Sequence, residues 1–171
     1  MSKTPFAKWR LTLFYGGPMI LWMALIFTMS TGAGRDTHSV GILVRLIRTF
    51  DPPAAREMRP EVLRLIDYVL RRCAHIVEYM VLMLLVFRAV QHGRNRLRWK
   101  TALLALVICV AYAATDETHQ LFVPGRTASI RDVMLDSTAA LVCEAAIMLW
   151  LGLKAWERRL SSRYPVEVEE S

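Results

Sequence analysis

The stretch DETHQLFVPGR, residues 116–126, lies between two apolar runs, each of about membrane-spanning length. It is followed closely by Ser129, Arg131 and Asp132, so many ionisable side chains stand at the end of one predicted transmembrane helix and the start of the next. Charged groups at such depth are costly unless they pair, meet water or serve a function. The stretch therefore predicts both a helical membrane fold and a candidate site.

A second polar stretch, RRCAHIVEY at residues 71–79, opens another apolar run. His75, Glu78 and Tyr79 are three or four positions apart, which places them on one face of a helix. Residues 116, 119 and 120 share a face in the same way, and Asp132 and Asp136 are one turn apart. We interpret the two stretches as halves of one site that the helices bring together.

The composition indicates a membrane protein. Of 171 residues, 54% are hydrophobic, and the apolar residues are gathered in long runs and not spread at the spacing of a soluble core. The net charge of +7 comes from basic residues that flank the apolar runs, as expected for determinants of topology. Nucleic acid is therefore not expected as a partner. The three cysteines all lie in apolar runs without metal-ligand spacing and are expected to be small buried side chains.

The expected fold is all-α: a bundle of about four transmembrane helices with an amphipathic interfacial region between the first and second. We predict one domain over residues 1–160 and a polar tail over residues 161–171. An amphipathic connection occupies residues 31–72, where apolar residues recur at helical spacing. Within it, residue 60 is expected to begin a separate segment. The predicted spans are residues 11–29, 73–90, 101–115 and 130–153.

Four spans put both termini on one side of the membrane. The basic loop between the second and third spans predicts that this side is the cytoplasm, with both polar stretches at the outer face of the membrane. The first connection, which carries eight arginines from Arg35 to Arg72, counts against this orientation by the same rule.

The two polar stretches also carry a family resemblance. The first reads Arg72-x-x-His75-x-x-x-Tyr79, and the second reads DExHQxFxPGR at residues 116–126, followed by Arg131 and Asp132. This pattern resembles the VanZ-like proteins, which are small polytopic bacterial membrane proteins. The resemblance implies a role in the cell envelope, because the founding member is associated with low-level resistance to the glycopeptide teicoplanin. This chain departs from the expected pattern in the fourth span, with Asp136 in place of an Asn and Ala139 or Ala140 in place of a Gly.

The first functional hypothesis is recognition of an anionic headgroup, either of a phospholipid or of a lipid-linked cell-wall precursor. The planar fork of Arg126, and after it that of Arg72, pairs with phosphate oxygens, while carboxylates such as Asp132 and Glu78 hold the fork in place. The predicted ligand-binding residues are Arg72, His75, Glu78, Tyr79, Asp116, Glu117, His119, Gln120, Arg126, Arg131, Asp132 and Asp136.

The second hypothesis is a membrane hydrolase or transferase. His75, Glu78, Asp116 and His119 are candidate metal ligands, with Glu117 as general base. A metal-free acid and base pair of His75 with Asp116 is equally consistent with the sequence. The catalytic candidates are therefore His75, Glu78, Asp116 and Glu117. The sequence specifies no cofactor and no oligomeric state.

Two further interpretations stay open. Opposite charges are nearly balanced across the two stretches, so the same residues could form a purely structural salt-bridge network between helices. Glu144, a lone acid near the middle of the fourth span, is the residue on which a transport function would depend.

Overall fold

The computed structural model describes residues 5–33, 45, 49–50, 59–91, 99–124 and 128–163, without the side chains of residues 5–8 and 32–33. Nearly all of these residues are helical. Helix α1 spans Pro5–Thr28 and continues as a π-helical segment, Met29–Ala33. The other long helices are α2, Pro60–Gln91; α3, Trp99–Gln120; and α4, Ile130–Arg163. These ranges contain no strand. The four helices are long and apolar enough to cross a membrane, which confirms the predicted helical bundle.

Helices α2 and α4 are longer than a membrane span requires. Helix α2 has 32 residues and α4 has 34; at 1.5 Å per residue each is roughly 50 Å long, against a hydrocarbon core of about 30 Å. The sequence predicts separate elements at residues 60–71 and 73–90, but α2 runs through both without a break. Pro60 fits the first position of the helix, where no backbone donor is required.

Several predicted elements lie partly or wholly outside the described residues. In the amphipathic connection over residues 31–72, Arg45 and residues 49–50 are helical, and the Thr49 hydroxyl donates to the Arg45 carbonyl oxygen at 2.8 Å. Residues 34–44, 46–48 and 51–58 are not described. Of the predicted tail, residues 161–163 belong to α4, and the remainder lies outside the described part.

The helices alternate in direction. Near one end of the bundle Arg88 of α2 donates to the carbonyl oxygen of Phe14 in α1 at 3.1 Å. Near the other end Ser30, which follows α1, meets Asp116 at the end of α3. Arg72 of α2 pairs with Asp132 at the start of α4. Helices α1 and α3 therefore run one way, and α2 and α4 run the other way.

Small side chains bring the helices close together. Ala105 and Cys109 of α3 and Ala140 of α4 are fully buried, and they pack beside Leu82 and Met83 of α2. Because lipid is as apolar as these side chains, close van der Waals contact between helices stabilises such a core. Helix α1 is peripheral: among its described side chains only Ile26 is buried.

Candidate functional site

Polar side chains are concentrated at one end of the bundle. We call this group the polar cluster; it contains Ser30, Arg72, His75, Tyr79, Asp116, Glu117, Gln120, Asp132 and Asp136, from all four helical segments. Asp116, Asp136 and Tyr79 are at most 2% exposed. The structure thus brings together the two polar stretches that the sequence interpretation treats as halves of one site.

Among the described basic residues of the polar cluster, Arg72 lies closest to a carboxylate. Its Nη1 donates to Oδ1 of Asp132, so the pair joins α2 to α4. The guanidinium also lies over the ring of Tyr68, with 5.2 Å from Cζ to the ring centroid. Both charged side chains keep about a quarter to a third of their surface exposed, 30% for Arg72 and 24% for Asp132. A carboxylate and an aromatic ring therefore hold the guanidinium while part of it stays open.

His75 lies one turn deeper on α2 and faces Asp136 of α4. Nδ1 of His75 is 3.6 Å from Oδ2 of Asp136, close enough for an ion pair when the imidazole is protonated but long for a hydrogen bond. The charges of Glu78 and Asp116 also act on this imidazole. The histidine is thus surrounded by carboxylates from three helices.

Asp116 is the most buried carboxylate of α3 in this cluster. Its Oδ2 accepts from the Ser30 hydroxyl at 3.0 Å and from Nε2 of Gln120 at 3.3 Å. Both donors are neutral, so they satisfy hydrogen bonds without cancelling the charge. Ser30 has no place in the sequence prediction because its surroundings look like a loop; a hydroxyl directly after an apolar run of spanning length is the signal that could have identified it.

Glu117 joins α3 to the start of α4. Its Oε1 accepts from the backbone N–H of Ser129. The Ser129 carbonyl oxygen accepts from the backbone N–H of Asp132 at 2.9 Å, and its hydroxyl oxygen accepts from that of Arg131 at 3.2 Å. Ser129 therefore caps α4, and an acidic group beside a helix amino terminus is electrostatically favourable. These contacts give Glu117 a structural role that does not depend on catalysis.

Two predicted residues, His119 and Arg131, stand apart from the buried cluster. The imidazole of His119 packs against Phe27 of α1 with ring centroids 4.2 Å apart. It lines an open groove of about 450 Å³ on the side of the bundle, with Phe27, Ala114, Thr115, Thr118 and Phe122. The Arg131 side chain is exposed. Arg126, the first choice for ligand contact, lies outside the described residues.

Glu78 and Glu144 occupy different depths. The backbone oxygen of Glu78 accepts from Nε1 of Trp22 at 3.0 Å, which ties α1 to α2. Glu144 is 6% exposed and lies on α4 two turns below Asp136, with Oε1 unpaired in the part of the chain described. A function in transport remains a prediction that depends on this residue.

No group of three or more His, Cys, Asp or Glu side chains that could hold a metal ion occurs among the described residues. His75, Glu78, Asp116 and His119 are therefore not assembled as a metal site there. The arrangement of the cluster instead offers an arginine held by a carboxylate, a histidine beside a carboxylate, and several buried oxygen acceptors.

These features define a multi-pass helical membrane protein with a charged cluster at one end of its bundle. The family model VanZ/LLP1 matches residues 16–151, which include parts of all four helices and every residue of the polar cluster. The chain belongs to the VanZ/LLP1 family, and the resemblance inferred from the two motifs is confirmed. No curated protein and no solved structure matches the chain.

Proposed function

We propose that this protein resides in the bacterial inner membrane and recognises an anionic lipid headgroup at the outer membrane–water interface. The ligand class is a phospholipid phosphate or the phosphate of a lipid-linked cell-wall precursor. The observation that carries the proposal is the Arg72 guanidinium, which is held by Asp132 and lies over Tyr68 but keeps 30% of its side chain exposed.

A held guanidinium suits phosphate for a physical reason. Arginine presents N–H donors in a fixed plane, and two of them can pair with two oxygens of one phosphate. Ordering by Asp132 reduces the conformational entropy that the side chain would otherwise lose when it binds. Because α2 and α4 position the pair at the end of the bundle, the open edge of the guanidinium can meet a headgroup.

The substitution Arg72→Lys tests this proposal. Lysine keeps the charge but loses the planar fork, so the affinity for an anionic lipid should fall about tenfold, equivalent to about 1.4 kcal/mol. Binding is measured by native mass spectrometry or microscale thermophoresis, with phosphatidylglycerol, polyprenyl phosphate and phosphatidylcholine compared.

Arg71→Lys is the matched control. Arg71 is the neighbouring residue, its Nε pairs with Asp67 in the same helix at 2.8 Å, and 37% of its side chain is exposed. Its substitution should leave lipid binding unchanged. Equal lipid affinities for Arg72→Lys and the unsubstituted protein, with both folded, would refute the proposal.

A contribution to glycopeptide resistance follows from the same proposal and from the family resemblance. A protein that binds the anionic headgroup of a cell-wall precursor changes what a glycopeptide meets at the membrane surface. Expression in a susceptible host should raise the inhibitory concentration of teicoplanin, and Arg72→Lys should abolish the increase. An unchanged inhibitory concentration on expression of the unsubstituted protein would remove resistance from the proposal.

Catalysis is the second candidate, favoured by the His75 and Asp136 pair. A carboxylate beside Nδ1 can orient an imidazole so that its other nitrogen accepts a proton from water. In hydrolysis of a phosphate ester, the water oxygen would bond to phosphorus as the ester bond breaks, and the proton taken by His75 would pass to the departing alcohol. Release of phosphate from a lipid phosphate by the protein, lost in His75→Gln, would establish this activity; no release would exclude it for that substrate.

A further inference from the structure

Three buried oxygen atoms in the polar cluster have no hydrogen-bond partner among the described residues. They are Oδ1 of Asp116, Oδ1 of Asp136 and the phenolic oxygen of Tyr79. The three side chains are 2%, 2% and 0% exposed. Buried polar atoms without partners are rare because each forfeits its hydrogen bonds to water. Three unpaired buried oxygen atoms in one cluster indicate that a bound molecule supplies the hydrogen-bond donors.

The three side chains come from three helices of the polar cluster. Asp116 is on α3, Asp136 on α4 and Tyr79 on α2, and the phenol lies within electrostatic range of both carboxylates. Asp116 and Asp136 also act on each other electrostatically. Nδ1 of His75, which precedes Tyr79 by about one turn on α2, is also 3.6 Å from Oδ2 of Asp136. We call the region between the three unpaired atoms the compartment.

Among the described residues, this compartment has more negative than positive charge. Arg72 is engaged by Asp132, so its charge is already matched. In the part of the chain that the structure describes, Asp116 receives hydrogen bonds from the neutral groups of Ser30 and Gln120. His75 is the other basic side chain of the cluster, and even when protonated it offsets one carboxylate. A buried carboxylate without a counter-charge is costly, and a bound cation would offset that cost.

We propose that this compartment binds a primary ammonium group. A primary ammonium has three N–H donors and one positive charge, which matches three unpaired acceptors and an excess of carboxylate. A metal ion fits less well, since the described His, Cys, Asp and Glu side chains form no group of three that could ligate one. A quaternary ammonium carries the charge but has no N–H to donate.

The route to the compartment passes the partly exposed side chains of the cluster. Arg72, Asp132 and His75 are 30%, 24% and 23% exposed, and they lie between the end of the bundle and Asp136. Asp136 follows Asp132 by four residues, so it is about 6 Å deeper along α4. A headgroup with a phosphate and a primary amine on a short linker can thus place the phosphate at Arg72 and the amine at Asp136. This pairing of groups rests on the proposed function; the ammonium site itself does not.

The test compares ethanolamine with choline at equal ionic strength on the full-length protein in nanodiscs of phosphatidylglycerol. Both probes carry one positive charge and a hydroxyethyl arm, but ethanolamine has three N–H donors where choline has three methyl groups. Ethanolamine should raise the Tm of the protein and bind in calorimetry, and choline should do neither. Equal responses to the two cations would overturn the proposal, because they would indicate screening of charge and not hydrogen bonding.

Substitutions locate the site. Asp136→Asn keeps the shape but removes the charge, and Tyr79→Phe removes only the phenolic oxygen; each should weaken ethanolamine binding at least about tenfold. Glu157→Gln is the control, because Glu157 is 69% exposed and pairs with Lys154 near the other end of α4. Retention of full ethanolamine affinity in both Asp136→Asn and Tyr79→Phe would also overturn the proposal.

The lipid preference of the protein shows whether the amine belongs to a lipid headgroup or to a soluble molecule. Preference for phosphatidylethanolamine over phosphatidylcholine in native mass spectrometry assigns a lipid headgroup, while ethanolamine binding without such a preference assigns a soluble amine. Either result supports an ammonium site. The proposed function is tested separately with phosphatidylglycerol, which has no amine, so failure of one proposal is distinguishable from failure of the other.

Discussion

The guanidinium of Arg72 donates to the carboxylate of Asp132, a residue 60 positions further along the chain, and so joins α2 to α4 at the end of the bundle where α4 begins. Arg72 lies in the first polar stretch, and Asp132 follows the second. In sequence the two stretches are separated by most of the second apolar span and by the whole of the third. Their contact is the most direct evidence that the stretches form one site.

Exchange of this pair separates a structural role from a binding role. Asp132→Asn leaves Arg72 without its counter-charge and should lower the free energy of unfolding by about 1 to 3 kcal/mol, because the pair is only partly buried. The double exchange Arg72→Asp with Asp132→Arg should recover part of that stability in a detergent unfolding titration. It should not recover binding of an anionic lipid, because the arginine is then on α4 and its guanidinium has a different position. Recovery of both would mean that only the charge balance matters.

Substitution of Asp116 should destabilise the junction of α1 with α3. Asp116→Leu removes the acceptor of both the Ser30 hydroxyl and the Gln120 amide, and a buried donor left unpaired costs about 1 to 3 kcal/mol. Asp116→Asn retains an acceptor and should cost less. The free energy of unfolding in mixed micelles measures both effects. A loss in Asp116→Asn as large as that in Asp116→Leu would show that charge, and not the hydrogen bonds, stabilises this junction.

The small residues of the core predict a difference between two alanines of α4. Ala140 is fully buried among the helices, whereas Ala146 is exposed on the lipid-facing side. Ala140→Leu should overpack the interface and cost about 1 to 3 kcal/mol, while Ala146→Leu should have little effect. Thermal unfolding of the two variants side by side checks this, and equal stability would show that the helices do not pack as closely as described.

Helix α1 depends on two polar anchors. Nε1 of Trp22 donates to the Glu78 carbonyl oxygen, and the Tyr112 hydroxyl donates to the carbonyl oxygen of Met23. Trp22→Phe and Tyr112→Phe should each cost roughly 0.6 to 1.5 kcal/mol, the range for hydrogen bonds in membrane proteins and in water. Trp9→Phe is the control, since Trp9 is 71% exposed. If Trp22→Phe proves no more destabilising than Trp9→Phe, the anchor is not needed.

The sequence was sufficient to predict the four helices because each contains an apolar run that only a membrane-spanning helix explains. It also predicted that His75 and Asp116 share a site, because helical spacing places both on inward faces. The pairing was less predictable: spacing gave no means of choosing between Asp116 and Asp136 as the carboxylate nearest His75. That choice depends on the axial position of α4 against α2, where Ala139, Ala140 and Cys143 are buried and the Cys143 thiol donates to the Met80 carbonyl oxygen at 3.3 Å.

Other features had no sequence signal of their own. Residues 60–71 have an amphipathic pattern. This pattern is typical of an interfacial helix and also of a spanning helix that extends beyond the membrane, so it could not show by itself that α2 is continuous. His119 shares a helical face with Asp116, yet a shift of 60° around α3 is enough to direct it toward Phe27 and the lateral groove. Neighbouring helices, and not spacing, decide such positions.

Cysteine labelling in intact cells tests most directly whether the polar cluster faces the outside of the cell, on which the proposed function depends. The three native cysteines are replaced by alanine, and single cysteines are placed at Leu121, just beyond the end of α3, or at Trp99, at its start; the two positions are 64% and 66% exposed. Intact cells are then treated with a membrane-impermeant maleimide. We predict labelling at position 121 and none at position 99, which places the polar cluster outside the cell. Labelling at position 99 alone would place it in the cytoplasm and contradict recognition of a headgroup at the outer surface.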